Sequence, residues 1–333
     1  MVMRLRAPTL AVSGAALLLQ GCVIATYPIS APYRPAKPLP AEVAHRFDYT
    51  LETWPAEPLG VAWEDRCATV HTGILAVKIP QDEAATPQAF EFWESHVAAK
   101  PAPLIILTPI LGGGEGLTRT QCRALTEAGF DVIYAKRGVR VLRRDWSVDE
   151  IELWLRRAIA GRRALIDWAL ARGDIDPQRI AGFGVSMGGL VTTVLTAVEP
   201  RISSSVIALA GGDVPEVITV SSEDRLIEFR ETKMQELQVD LPELESMLRE
   251  RIASDPGALA RYIDPRQILQ ISSAWDTVMP PQNQEALWEL LGRPTRYDLP
   301  SGHYTGILYL SYLLDVGCTW LQRRFAQVGP PAE

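Results

Sequence analysis

The stretch from Arg179 to Leu190 constrains this chain more than any other. Ile180 to Phe183 is a short apolar run of strand length. Gly184-Val185-Ser186-Met187-Gly188 follows, and then Leu190, Val191, Val194, Leu195 and Val198 recur at helical spacing. A strand that turns into a helix through G-x-S-x-G holds its serine on a sharp, strained turn with the hydroxyl thrust outward. That turn presses the strand end against the first helical turn, and glycine at 184 and 188 supplies room and conformational freedom. The serine also stands at a helix start, where free N–H groups favour negative charge. Without such flanks the five-residue pattern arises by chance in roughly one chain in ten of this length. Here the flanks set it apart from a small-residue turn that merely packs a helix on a sheet.

Further strand-length segments recur along the chain, the most continuously apolar at Leu104 to Ile110. Leu104 to Ile110, Phe130 to Ala135, Ile202 to Ala210, Ile268 to Ala274 and Thr295 to Leu299 read as strands, and a continuous apolar run is what a parallel strand buried on both faces requires. Helical patterns separate them. One covers Leu117 to Ala128 and closes at Gly129, and another opens on the capping box Ser147-Val148-Asp149-Glu150 and runs to about Ala171. A further helix covers Gln282 to Leu291. Strands alternating with helices predict an α/β fold: a mostly parallel central sheet with helices on both faces. Ala44 to Pro80 reads as extended lead-in strands, clearest over Thr69 to Pro80. Thr86 to Ala99 reads as a helix with Pro87 at its first position. The interval 213–265 breaks the alternation with a long charged helical segment, expected to be a lid or cap over the strand ends, or else a peripheral helix pair.

At 333 residues and 47% hydrophobic content the chain can bury a sizeable core as one domain. Its net charge of -7, with no basic stripe, argues against a nucleic-acid partner. Cys22, Cys67, Cys122 and Cys318 show no metal-ligand spacing, and no cofactor motif is present. The first residues differ in character. Arg4 and Arg6 precede the apolar run Leu10 to Leu19, which is too short to span a bilayer and reads as an export signal. Leu19-Gln20-Gly21-Cys22 resembles the lipobox of bacterial lipoproteins, which implies cleavage before Cys22 and its lipidation; an ordinary secretory signal is the alternative. Val23, in place of the Asp that resembles an inner-membrane retention signal, points to the outer membrane, facing the periplasm. The expected division is 1–21 signal peptide, 22–43 Pro-rich tether or ordered arm, 44–212 and 266–333 core, and 213–265 lid. With Cys22 lipidated, Cys67, Cys122 and Cys318 allow at most one internal disulfide.

A serine nucleophile needs a base and an acid, and on such a sheet they follow it in the order Ser, Asp or Glu, His. Of the four histidines only His303 follows Ser186, in the loop Pro300-Ser301-Gly302-His303-Tyr304 after a strand. Asp276 occupies the equivalent place after Ile268 to Ile271, where its carboxylate would fix the imidazole tautomer and stabilise the imidazolium. Asp213 is the other candidate acid, and Asp298 stands inside a strand too close to His303. The oxyanion would meet the backbone N–H of Met187 and one from the loop after Leu104 to Ile110, hence Leu111 or Gly112.

These residues resemble the α/β-hydrolase superfamily of serine hydrolases, in particular its dienelactone-hydrolase, acetyl-esterase and prolyl-oligopeptidase-like members. The approach Asp174 to Ile180, the elbow Gly182 to Gly189, the loop Asp276 to Pro280 and Gly302-His303 carry the resemblance over about 104–326; the interval 213–265 matches nothing specific. Many members have His-Gly after the first core strand where this chain has Ile110-Leu111-Gly112. The resemblance implies cleavage of carboxylic esters, or amides, through an acyl-Ser186 intermediate with no cofactor or metal. The substrate would be a small-molecule or lipid ester. Acyl transfer by the same triad, or a non-catalytic envelope role for the scaffold, would be the alternatives.

Overall fold

The computed structural model describes residues 23, 25–30, 34–55, 59–111, 114–138 and 141–327. The segment expected to be a signal, Cys22 and Gly112 lie outside the described residues. In chain order the strands are β1 (Ala25–Tyr27), β2 (Thr50–Thr53), β3 (Val61–Glu64), β4 (Ala68–Lys78), β5 (Thr86–Ser95), β6 (Ala102–Thr108), β7 (Asp131–Ala135), β8 (Ile175–Val185), β9 (Ile202–Ala208), β10 (Ile268–Ser273) and β11 (Thr295–Leu299). They form one sheet in the order β1-β11-β10-β9-β8-β6-β7-β5-β4-β2, with β3 on β4. β7, β6, β8, β9, β10 and β11 pair in parallel, and the outer strands are antiparallel. Every residue of β6 is buried, the pattern that its unbroken apolar run requires.

Helices α1 (Glu115–Glu127), α2 (Val148–Ala171) and α3 (Met187–Val198) make the crossovers. Side chains of α2 and α3 belong to the core on one face of the sheet. Cys122 and Leu125 of α1 belong to the core on the other, together with Leu313, Leu321 and Phe325 of the last helix. The fold class expected from the alternation is therefore the one observed. Between β9 and β10 the interval 213–265 holds α4 (Val214–Val220), α5 (Asp224–Leu237) and α6 (Leu241–Arg251) and no strand among the described residues. Then come α7 (Pro281–Leu290) and α8 (Leu310–Gln327).

One expectation is corrected. Thr86 to Ala99 is not a helix: β5 occupies Thr86–Ser95, between β4 and β7. Phe90, Phe92 and Trp93 are buried there, and aromatic side chains suit a strand enclosed by neighbours better than a helix. Glu91, on the same strand, is fully buried. Burial alone would raise its pKa, but hydrogen bonds from Arg119 and Lys136 outweigh that and hold the carboxyl below its usual value. The Pro-rich segment is expected from the sequence to be a tether or an ordered arm. β1 adds to the edge strand β11, Tyr27 packs 5.5 Å from the Trp288 ring, Ser30 N–H donates to Arg293 O at 3.1 Å and Lys37 N–H to Arg261 O at 2.9 Å. These residues lie along the core as an arm, covering backbone groups that an open sheet edge would expose. Cys67, Cys122 and Cys318 are all free and buried.

Candidate active site

Chain order turns back at the centre of the sheet. From β6 the chain crosses to β7 on one side and returns to β8 on the other, so the loops leaving β6 and β8 diverge and leave a crevice at the carboxyl ends of the strands. Ser186 stands at that point. Its φ of 58° and ψ of -126° are a conformation that L-residues seldom adopt, and such strain, of order 1–3 kcal/mol, persists only where the surroundings enforce it. The enforcement is visible. Ser186 N–H donates to Ala208 O at 2.8 Å, and its carbonyl accepts from Gly189 N–H at 2.8 Å. A Cβ on Gly184 would lie 2.1 Å from Gly188 O, and one on Gly188 would lie 2.3 Å from Thr108 O. The two glycines are therefore required by backbone contact.

Ser186 Oγ is 2.8 Å from His303 Nε2, and His303 Nδ1 is 2.7 Å from Asp276 Oδ2. The tautomer that satisfies both contacts has Nδ1–H donating to Asp276 and Nε2 accepting from the serine hydroxyl. The other carboxylate oxygen, Asp276 Oδ1, accepts from the N–H groups of Val278 and Met279, both at 2.8 Å. The base loop is tied to the acid loop: Trp275 N–H donates to Ser301 O at 2.9 Å and Ala274 N–H to Leu299 O at 3.0 Å. Asp276 is 2% exposed, so the carboxylate is shielded from water and acts on the imidazole at close range.

The other candidate acids are committed elsewhere. Asp213 caps α4 through Glu216 N–H at 2.9 Å and pairs with Arg249 at 2.6 Å. Asp298 pairs with Arg296 at 2.6 Å.

The proposed oxyanion donors are placed as follows. Met187 is the first residue of α3, so its N–H has no acceptor within the helix. Leu111 follows β6 and lines one cavity with Ile110, Ser186, Met187 and His303. Arg137 Nη1 donates to Ile110 O at 3.2 Å and also to Leu111 O, and Arg225 Nη1 donates to Leu111 O at 3.3 Å. In a trans peptide the C=O and N–H point in opposite directions. Holding Ile110 O thus turns Leu111 N–H away from the Arg137 guanidinium. Burial, and next the Arg225 cation, pull the Arg137 pKa below its ordinary value. A third cation lies beneath this loop. Arg162, 5% exposed, donates to Thr108 Oγ1 at 2.9 Å and Ala158 O at 2.7 Å, and burial pulls its pKa down to about 10.

Sequence reading did not single out Arg137, Arg162, Arg225 or Gln284. Gln284 donates to Met279 O at 2.6 Å and accepts from Ser273 N–H at 3.0 Å, bracing the acid loop from α7. Each acts across the fold, and spacing along the chain gives no signal for it. Among the described residues no group of three or more His, Cys, Asp or Glu could hold a metal ion. No helix there is long and apolar enough to cross a membrane.

No protein-family model matches the sequence, and no curated protein matches it significantly. Solved structures do match its fold. The chain is similar to an acetyl xylan esterase from Paenibacillus sp. R4 (TM-score 0.58, 12% identity, 83% of this chain and 92% of that one). It is also similar to acetyl xylan esterase 1 from Thermoanaerobacterium sp. JW/SL YS485 (TM-score 0.54, 15% identity, 87% and 99%). A third is the alpha/beta hydrolase GrgF from Penicillium sp. sh18 (TM-score 0.55, 15% identity, 77% and 99%).

Proposed function

We propose, from an α/β-hydrolase fold whose switch point brings Ser186, His303 and Asp276 into one hydrogen-bonded relay, that this protein is a serine hydrolase of carboxylic esters. The observation that carries the reading is the pair of contacts at 2.8 and 2.7 Å joining hydroxyl, imidazole and carboxylate in series. The esterases of the same fold support it.

The chemistry follows from the relay. Ser186 Oγ attacks the acyl carbon as its proton passes to His303 Nε2. Asp276 stabilises the imidazolium that forms. The oxyanion is met by Met187 N–H and the loop of Leu111 and Gly112, with the Arg137 and Arg225 cations behind it adding favourable potential. Collapse of the intermediate breaks the C–O bond, and the departing alkoxide takes the proton from His303. Water then gives a proton to His303, attacks acyl-Ser186 and releases the carboxylic acid, and the hydroxyl of Ser186 is restored. No cofactor enters any step. The same proposal places the protein in the bacterial cell envelope through lipid on Cys22, a reading supported by the sequence of the first 22 residues alone.

Steady-state hydrolysis of p-nitrophenyl esters by wild type and Ser186→Ala tests the chemistry. A loss of about 10⁴-fold or more in kcat with an unchanged circular dichroism spectrum is expected, and near wild-type turnover by the variant would refute it. Membrane fractionation of Cys22→Ser tests the anchor: release into the soluble fraction is expected, and retention contradicts it.

A further inference from the structure

The cavity beside Ser186 has a volume of about 280 Å³. Apart from Ser186, His303, Gln121, Glu223 and Tyr304, every residue lining it is apolar or glycine. It runs from an exposed mouth at Tyr304 and Ile307, which are 67% and 50% exposed, to an interior formed by Ile151 and Leu155 of α2 and Val217 of α4, none more than 3% exposed. Such an interior offers little to a sugar or a charged acyl group, whose hydroxyls or carboxylate would lose water there and gain few partners. The alcohol half of an ester departs first and must leave by the mouth. The acyl half stays covalently attached until the second step and suits the closed interior. The cavity is large enough to take an aliphatic chain of several carbons.

We propose that the substrate is an ester of a medium-chain aliphatic acid, with the chain seated between α2 and α4. The proposal rests on the serine-hydrolase reading. Each methylene that enters the cavity raises kcat/KM by roughly fourfold until the space is full. Purified full-length protein is assayed on p-nitrophenyl acetate, butyrate, octanoate, decanoate and palmitate, and labelling rates are compared for a decyl- and an ethyl-fluorophosphonate. The expected result is an optimum at octanoate or decanoate, at least 100-fold above acetate, a fall at palmitate, and faster labelling by the decyl probe. Val217→Trp, or Ile151→Phe if the first variant does not fold, moves the optimum to shorter chains. An optimum at acetate, or equal labelling by the two probes, overturns the proposal while leaving Ser186 as nucleophile. Failure of both probes to label folded protein overturns the underlying reading as well.

A separate observation carries a second inference. One short segment of the insertion touches all three loops of the site. Ser222 N–H donates to Thr277 O at 3.0 Å, and the Ser222 and Thr277 hydroxyls are 2.7 Å apart, next to Asp276. Tyr304 Oη, beside His303, donates to the Glu223 carboxylate. Arg225 donates to Leu111 O at 3.3 Å. We infer that the segment 222–225, which leads into the first turn of α5, is a clasp: seating the insertion sets the acid, base and oxyanion loops together, and Ser222, Glu223 and Arg225 are positioning residues. The Glu223 hydrogen bond, and then burial, push the Tyr304 pKa up to about 12.

Arg225→Ala and Tyr304→Phe, separately and together, are measured for kcat, KM and melting temperature. A fall of about tenfold in kcat with KM within twofold is expected for each single variant, with partial rescue by Arg225→Lys. The double variant should lose less than the product of the single effects. Changes confined to KM or to melting temperature, or fully multiplicative effects on kcat, overturn the clasp.

Discussion

The two sides of the site are held in different ways. On the acid and base side the braces are mainly backbone: Val278 and Met279 N–H groups on Asp276, Ala208 O on Ser186 N–H, and the Trp275–Ser301 and Ala274–Leu299 bonds between the two loops. On the oxyanion side the carbonyls of Ile110 and Leu111 are held by long guanidinium side chains, one from the loop after β7 and one from the insertion. Backbone braces form with the fold and leave no rotamer freedom. Arginine braces must be assembled from flexible side chains, each losing entropy when it docks, and Arg225 arrives only with α5. The comparison teaches that the acid and base loops are set mainly by backbone bonds within the core, to which the insertion adds contacts at Thr277 and Tyr304, while the carbonyls of Ile110 and Leu111 are held by side chains, one of them from the insertion.

The largest expected effects fall on the relay. Asp276→Asn should reduce kcat by about 10³–10⁴-fold, because an amide that donates to Nδ1 imposes the wrong tautomer. Asp213→Asn should change it by less than threefold, since Asp213 caps a helix. A steady-state comparison of the two checks the assignment, and the reverse order would move the acid to Asp213. Next comes Arg137→Met, expected to lower kcat by about 10–100-fold with KM nearly unchanged, because a support of transition-state charge is lost. A KM effect alone would show that the guanidinium contacts the substrate instead.

Smaller effects concern stability. Gly188→Ala should cost about 3 kcal/mol in urea unfolding, because the new methyl meets the Thr108 carbonyl of β6 and neither backbone can yield. At the foot of the insertion Asp255 accepts from Val214 N–H at 2.8 Å and Ala258 N–H at 3.1 Å. Burial raises its pKa to about 6. A carboxyl whose folded pKa lies above its unfolded value binds the proton more tightly when folded, so its contribution is fully present below about pH 4 and is lost as the pH rises through 6. Unfolding of wild type against Asp255→Asn at pH 4.5 and 7 should show the difference between them changing by on the order of 1–3 kcal/mol. A pH-independent difference would contradict the assignment.

Much of this was legible in the chain before any coordinates. Elbow, acid and base each follow a strand of the parallel sheet, so order along the chain translates into place along the carboxyl edge of the sheet. The same rule fails for β5, where Thr86-Pro87 imitates a helix start and only pairing on both sides reveals a strand. For the Pro-rich segment tether and arm stay open from the sequence, because its short strand exists only where β11 offers a free edge. Arg137, Arg225 and Gln284 were out of reach for a related reason. Each meets its partner across elements that come together only in the closed fold, and a lone arginine or glutamine in a polar stretch has no periodicity to betray it.

The account stands or falls on acylation of Ser186. Mixing the protein with excess p-nitrophenyl octanoate, quenching in acid within milliseconds and mapping the adduct by peptide mass tests it most directly. An octanoyl group on the peptide that contains Ser186, formed in step with a burst of p-nitrophenol and absent from Ser186→Ala, is the predicted result. Turnover at wild-type rates by Ser186→Ala, or an adduct carried on a different residue, would contradict it.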